Sequence, residues 1–356
     1  MKAERIETPK IPFFENPMAR AIAFMIGMLI GAGILAMPAV IYQSGFWTGM
    51  LVLAFICFAI TLMHLYVGEV TLRTKGTHQM AGYVEKYLGK TAKHILTLSM
   101  IFMLNGGMVA YIIGEGAALK SIFGGNDFLF SMVFFIIMTI IIFFSLRVIV
   151  NSELAIGLAM VTTILIICGI SAFNINFNNF QGFDITKFFI PYGIIFFSIV
   201  GGSAVPVMKE ELKKNKKALK TAIIWATLGT MAVYALFSIV VIGVVGDTFN
   251  NLEHGVATVA LGMVLGKYMN IFGNLFAVLS MATSFIAMAT VMKWVYRYDY
   301  KINKHLAWLV TCMIPIIIVL LNVTTFLRVL ALIGAIGGGI EGIMIILMHR
   351  KAKKMG

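Results

Sequence analysis

Apolar residues run along the chain in long blocks separated by short polar connections, and the first block carries no charge from Ala21 to His64. A helix needs about 20 apolar residues to cross a bilayer, and inside the bilayer every backbone group must find its partner within the protein. The blocks therefore read as membrane-spanning helices and not as strands of a barrel. Their boundaries place ten spans, numbered in chain order, near residues 20–42, 47–70, 94–123, 128–147, 152–173, 188–208, 219–246, 268–293, 304–321 and 325–348.

Two spans are interrupted. Span 1 contains "GAGILAMP" (31–38), and span 6 contains "VGGSAVP" (200–206), with glycines first and a proline close behind in both. Glycine weakens a helix by about 1 kcal/mol and proline by about 3, and each unpaired backbone group in hydrocarbon costs several more. Such a break persists where something polar uses it. Equivalent breaks five spans apart enter the membrane from opposite sides, which is the arithmetic of an inverted repeat, spans 1–5 matched to spans 6–10. Unwound backbone offers N–H groups to a carboxylate and C=O groups to an ammonium group or small cation, so facing breaks predict a zwitterionic or ionic solute. The blander alternative is that Gly27 and Gly31 only let helices approach closely while Pro38 kinks one.

Composition agrees with the pattern: 60% of the 356 residues are hydrophobic and 12% charged. A net charge of +13 raises the question of nucleic acid, but in a membrane protein the placement of charge decides. With the N-terminus cytoplasmic, 24 of the 28 Lys and Arg fall on the cytoplasmic side, leaving Lys120, Lys187, Lys267 and Arg328 outside. Both termini are expected in the cytoplasm of a multi-pass plasma-membrane protein, with no nucleic-acid partner. Cys57, Cys168 and Cys312 lie far apart in apolar runs and indicate neither disulfides nor a metal site. The polar start "MKAERIETPKIPFFENP" lacks a small-residue cleavage site before the first apolar run, so a removable signal peptide is not expected.

The expected organisation is a cytoplasmic tail (1–19), a first repeat (20–173), an extracellular loop (174–187), a second repeat (188–348) and a basic tail (349–356). Two connections have structure of their own. In "THQMAGYVEKYLGK" (77–90), Met80, Tyr83, Val84, Tyr87 and Leu88 share one helical face and Glu85, Lys86 and Lys90 point away, as in an interfacial helix. "NNLEHGVATVALGMVLGKY" (250–268) reads as a short extracellular helix capping a vestibule. Either is equally a plain surface connector.

Ionisable residues at membrane depth are functional candidates, and Glu115 in span 3 and Glu341 in span 10 stand out as proton sites. The alternative is a wetted vestibule or gate residue, with Lys120 or Arg328 as partners of Glu115 and Lys293 of Glu341. No span shows the polar stripe of a channel. No HExxH, GxSxG or GxxxxGK[ST] appears, so an enzyme is not expected.

"GAGILAMP", "MVAYIIGEG" (108–116), "FFSIVGGSAVPVMKEEL" (196–212) and "LSMATSFIAM" (279–288) resemble, in this order, the amino acid/auxin permease family and especially its bacterial branch of aromatic and hydroxy amino acid permeases. The resemblance implies an all-α, five-plus-five inverted-repeat fold like that of the bacterial leucine transporter, shared across the amino acid/polyamine/organocation group, with discontinuous helices 1 and 6. Members usually carry an eleventh span outside the ten-helix core, whose absence here bears on partner contacts and not on transport.

The same resemblance places the substrate carboxylate at the N–H groups of Ala32, Gly33 and Ile34, and the ammonium group at the carbonyls of Leu29, Phe197, Ser198 and Val200. Tyr111 would close over the substrate, or be an ordinary packing aromatic, and Phe197, Asn105, Gly106, Gly107 and Phe285 would surround its side chain. Ser280, Thr283 and Ser284 match a sodium site completed by the carbonyls of Gly27 and Ile30, although Ser and Thr in membrane helices also bond their own helix. The lysine that some distant relatives place in span 5 is missing here, so Na⁺ and H⁺ both stay open as coupling ions, with no other cofactor.

By resemblance, spans 1, 2, 6 and 7 rock against spans 3, 4, 8 and 9, with spans 5 and 10 as gates. The expected function is ion-coupled symport of aromatic or other hydrophobic L-amino acids by alternating access, with no obligate protein partner. An exchanger, a facilitator or a non-transporting sensor on the same fold is the alternative.

Overall fold

The computed structural model describes residues 16–76, 78–144, 153–212, 215, 217–252 and 254–355. Most of the expected N-terminal tail, Arg147, and Lys213, Lys214 and Lys216 of the basic loop lie outside the described residues. Every regular element among the described residues is helical. Eight helices are long and apolar enough to cross a membrane: Phe46–Arg73, Lys90–Phe123, Asp127–Phe144, Gly157–Asn174, Tyr192–Glu211, Ala218–Asn251, Lys267–Arg297 and Phe326–Lys354. The interrupted Pro17–Ser44 and the shorter Lys304–Leu320 bring the described spans to ten, in the expected order. Their outward faces carry exposed Phe55, Phe58, Leu98, Ile137, Phe144, Trp225 and Leu279, the apolar belt that a bilayer covers.

Both expected breaks are present. Span 1 is helical over Pro17–Leu29, unwinds at Ile30 and Gly31, makes one 3₁₀ turn over Ala32–Leu35 and resumes over Met37–Ser44. Pro38 lies in the first turn of that second half, where its missing N–H would have no helical partner anyway, so it starts a helix instead of kinking one. Span 6 is helical over Tyr192–Ile199, unwinds through Val200–Ser203 and resumes over Ala204–Glu211.

Span 10 is irregular too, which its composition had not led us to expect. Phe326–Ile333 passes through a wide π-helical turn, Gly334–Gly338, into Gly339–Lys354. Here the first half of span 6 crosses span 10 backbone to backbone, for a Cβ on Gly334 would stand 2.7 Å from the Gly193 carbonyl carbon. A similar crossing joins spans 1 and 5, where a Cβ on Gly157 would meet the Gly27 Cα at 2.6 Å.

The Lys- and Arg-rich ends of the spans share one face, and ion pairs hold them together. Arg20 of span 1 pairs with Glu211 of span 6 at 3.4 Å, and the Lys209 ammonium donates to the Thr71 carbonyl of span 2 at 2.5 Å. The helix Met80–Leu88 lies on this face with Met80, Tyr83, Val84 and Tyr87 buried. That apolar stripe is turned onto spans 3 and 10 and not onto lipid, and the Thr74 and Tyr87 hydroxyls are 2.8 Å apart. On its outer side the Lys93 ammonium, 2.6 Å away, holds the Glu85 carboxyl below the usual carboxylate range. On the opposite face the helix Ala257–Leu265 packs against span 8, to which the Thr258 hydroxyl donates at Asn274 Oδ1 (2.9 Å), while Asn270 of span 8 donates to the Ser121 carbonyl of span 3.

Candidate functional site

The two breaks touch. A Cβ on Gly33 would stand 3.0 Å from Ser198 Cβ and 3.2 Å from its Cα, and one on Gly201 would strike the Leu29 side chain. Having no Cβ, Gly33 and Gly201 let each interrupted span approach the helix end of the other this closely.

Around Gly31 the neighbouring spans supply hydroxyls. Ser284 Oγ of span 8 would lie 3.6 Å from a Gly31 Cβ, and the Tyr111 hydroxyl of span 3 approaches Ser284. Tyr234 of span 7, fully buried, donates to the Leu29 carbonyl (2.7 Å) and to the Ser198 carbonyl (3.0 Å), bridging the two breaks.

Several backbone groups stay unpaired among the described residues. In span 1 these are the N–H groups of Ala32 and Gly33 and the Ile30 carbonyl, whereas the Ile34 N–H already bonds the Gly31 carbonyl at 3.3 Å. In span 6 the carbonyls of Phe197 and Val200 accept nothing. Unpaired donors and acceptors thus lie together where the two breaks meet, the Gly202 and Ser203 N–H groups of span 6 included, and such a mixed set can meet both a carboxylate and an ammonium group.

Not every expected site residue belongs to this cluster. Gly107 does, facing Phe197 and Met288, but its neighbour Gly106 faces Ile333 and Val329 of span 10. Asn105 donates to its own-helix Ile101 carbonyl at 2.8 Å and lies by Tyr296 at the basic-face end of span 8. Phe285 stacks edge-on against Phe134 of span 4, centroids 5.5 Å apart, and so points away from the breaks. One residue in a helix advances about 100°, so these adjacent positions diverge. The Leu29 and Ser198 carbonyls, expected to meet an ammonium group, are occupied by Tyr234.

In the sodium set, Thr283 bonds its own-helix carbonyls of Leu279 (2.9 Å) and Ser280 (3.1 Å). Ser280 is buried with an unpartnered hydroxyl, and Gly27 serves the crossing with span 5.

Sequence reasoning gave no role to Tyr234, His64 or Met288. His64 of span 2, buried, accepts the Gly201 N–H through Nε2 at 3.2 Å. A lone histidine and a lone tyrosine in the middle of apolar spans were the available signals, since both carry polar atoms that need a partner inside the membrane.

Residues 15–355 match the tryptophan/tyrosine permease family, which is nearly the whole chain. The chain belongs to that family. The permease is 23% identical over 326 residues to glutamine transporter 2 of Aliivibrio fischeri, covering 87% of this chain and 82% of that one. It is also 23% identical over 288 residues to tyrosine-specific transport system 1 of Haemophilus influenzae, covering 77% and 71%. The inward-facing conformation of Mhp1 superposes with a TM-score of 0.68 at 13% identity, covering 92% of the permease and 75% of Mhp1. A closed conformation of Mhp1, a nucleobase-cation-symport-1 family transporter with bromovinylhydantoin bound, gives 0.61 at 14% identity, covering 92% and 77%. The fold is therefore the leucine-transporter-like inverted repeat, and the permease is a multi-pass member of an amino acid transporter family and not an enzyme.

Two carboxylates lie inside the spans of the permease. Glu115, one turn beyond Tyr111 on span 3, is fully buried with both oxygens unpartnered. The partners considered for it are engaged or remote: Lys120 pairs with Asp127 at 3.4 Å, and Arg328 is exposed. Glu341 Oε1 lies 3.2 Å from where a Gly202 Cβ would be, while Lys293 donates to the Ile142 carbonyl of span 4 at 2.7 Å. At the opposite face a cavity of about 540 Å³ is lined by Lys120, Asp127, His254 and Asn270 among others. Its lining does not include the broken backbone.

Proposed function

We propose that this permease is a secondary active transporter that couples uptake of an L-amino acid, aromatic or otherwise hydrophobic, to Na⁺ or H⁺ by alternating access. The observation that carries the reading is the contact between two unwound spans, one with unpaired N–H groups at Ala32 and Gly33, the other with unpaired carbonyls at Phe197 and Val200. The Met288 side chain packs onto Gly107, its sulfur 2.6 Å from where a Cβ would stand, so a bulky substrate side chain beside Phe197 takes the space that the flexible Met288 gives up, and Tyr111 stands over the site from span 3. The family supports amino acids as the substrate class, while its named relatives differ between glutamine and tyrosine. Placement in the wider amino acid/auxin permease group rests on the motif resemblance.

The charge distribution supports cytoplasmic termini in the plasma membrane, with residues 20–173 and 188–348 as the repeats and 174–187 outside. Spans 1, 2, 6 and 7 rock as one bundle, tied at the basic face by Lys209 and Arg20. A membrane potential contributes about 2.3 kcal/mol per charge for each 100 mV to whichever cation is carried.

In proteoliposomes, labelled L-tyrosine, L-tryptophan or L-phenylalanine should accumulate at least about tenfold above equilibration under an imposed ion gradient, a concentration ratio worth about 1.4 kcal/mol. Uptake that only equilibrates would show a facilitator or exchanger. Binding without uptake would show a sensor.

A further inference from the structure

His64 lies outside the substrate groups, on span 2, yet it makes the one hydrogen bond that the Gly201 N–H of the span 6 break has. Its other nitrogen, Nδ1, is 3.4 Å from Thr227 Oγ1, and that hydroxyl donates its own hydrogen to the Ile223 carbonyl at 3.0 Å. Thr227 can therefore only accept from the ring. The network assigns a neutral imidazole with its hydrogen on Nδ1 and a bare Nε2 facing Gly201.

A proton arriving at Nε2 converts this acceptor into a donor that faces another donor. The new Nε2–H bond and the Gly201 hydrogen bond exclude each other, so the ring must leave Gly201 and the unwound turn loses its tether. A carboxylate stands in the same layer. Glu341 of span 10 lies against the next residue, Gly202, and Met63, adjacent to His64, would be 3.2 Å from a Cβ on Gly342. Glu341 makes no hydrogen bond or ion pair among the described residues.

Of the other charged groups on the elements around span 2, Lys220 of span 7 and Arg350, Lys351, Lys353 and Lys354 of span 10 are exposed at the helix ends, and the rest are engaged. On span 2 itself Glu69 bonds Arg73 (2.9 Å) and His349 of span 10 (2.8 Å). At the end of span 6 Lys209 donates to Thr71, Glu210 is held by a neighbour, and Glu211 pairs with Arg20. The second half of span 1 brings Tyr42, bonded to Asp247, and span 7 brings Thr227 and Tyr234.

We propose that His64, with Glu341 as its counter-charge, is a proton-binding site whose occupancy sets the conformation of the span 6 break. This rests on the symport reading and assigns the proton as its driving ion.

The test uses His64→Gln, whose Oε1 accepts the same N–H but takes up no proton, with the full-length protein in proteoliposomes. We expect the variant to keep thermal stabilisation by L-tyrosine, the sign that it folds and binds. Accumulation of labelled L-tyrosine, L-phenylalanine or L-tryptophan on a pH gradient should fall at least tenfold, and the pH profile of uptake should flatten. Glu341→Gln should move the wild-type profile toward lower pH.

Wild-type-like accumulation by His64→Gln on a pH gradient overturns the proposal. Wild-type accumulation on a Na⁺ gradient with no response to pH overturns it while the symport reading stands. Absence of any gradient-driven accumulation by the wild type overturns both.

Discussion

Gly33→Ala is expected to reduce amino acid uptake at least about tenfold, and adding Ser198→Gly is expected to restore much of the loss. The added Cβ would stand 3.0 Å from Ser198 Cβ and 3.2 Å from Ser198 Cα. The Ser198 side chain has little freedom to turn away, because its hydroxyl donates to the Ile194 carbonyl at 2.7 Å. Forcing an extra carbon into a packed contact costs typically about 1–3 kcal/mol. Here that strain falls on the contact between the two breaks, which transport must open and remake. The Ser198→Gly substitution removes the opposing Cβ and leaves the span 6 backbone in place. Initial rates of uptake at matched protein density measure both variants. Full activity in Gly33→Ala alone would mean that the two breaks stand further apart than 3.0 Å implies.

The second large effect is expected at Tyr234. Its hydroxyl is the shared donor for the Leu29 and Ser198 carbonyls, so Tyr234→Phe leaves the Ser198 carbonyl without a partner and the Leu29 carbonyl with only the Gly31 N–H at 3.1 Å, while the ring still fills its space. An unsatisfied buried polar group costs about 1–3 kcal/mol, and a loss of that order should lower the thermal unfolding midpoint of the substrate-free protein. The variant should also transport more slowly by about an order of magnitude, since the bridge that lets spans 1 and 6 move together is gone. Saturating amino acid should recover part of the stability, because its ammonium group replaces the lost donor. A variant with unchanged stability and rate would show that water or a rearranged backbone satisfies the Ser198 carbonyl.

Much of the fold was legible because a bilayer sets a length and demands apolarity. The expected spans 47–70 and 94–123 became Phe46–Arg73 and Lys90–Phe123, differing only where helices run past the apolar core into polar surroundings. The breaks were legible for a related reason: glycine and proline are costly in mid-membrane, so their pairing in spans 1 and 6 marked unwound backbone.

Rotation about the helix axes was not legible. Spans 3 and 8 are apolar nearly all round, and such a helix carries no amphipathic stripe to say which side faces the site. That is why Gly106, Gly107 and Phe285 were all expected beside the substrate, although Gly107 faces Phe197 of span 6 while Gly106 faces span 10 and Phe285 faces span 4. Satisfaction of polar atoms was equally hidden. Nothing in the spacing told that Tyr234 would take the carbonyls expected for the ammonium group, or that His64 would hold Gly201. The helix Met80–Leu88 shows the same limit, since its apolar face was readable but not whether protein or lipid would cover it.

Competition by substrate analogues tests most directly whether the two breaks read the backbone of an amino acid. Charge-assisted hydrogen bonds to buried groups contribute about 1.5–3 kcal/mol each, and about 1.4 kcal/mol is a factor of ten. We therefore expect tyramine, which lacks the carboxylate, and 3-(4-hydroxyphenyl)propionate, which lacks the ammonium group, to compete with labelled L-tyrosine at least about a hundredfold more weakly than unlabelled L-tyrosine. Equal competition by either analogue would contradict the assignment of the Ala32 and Gly33 N–H groups, or of the Phe197 and Val200 carbonyls, to the substrate.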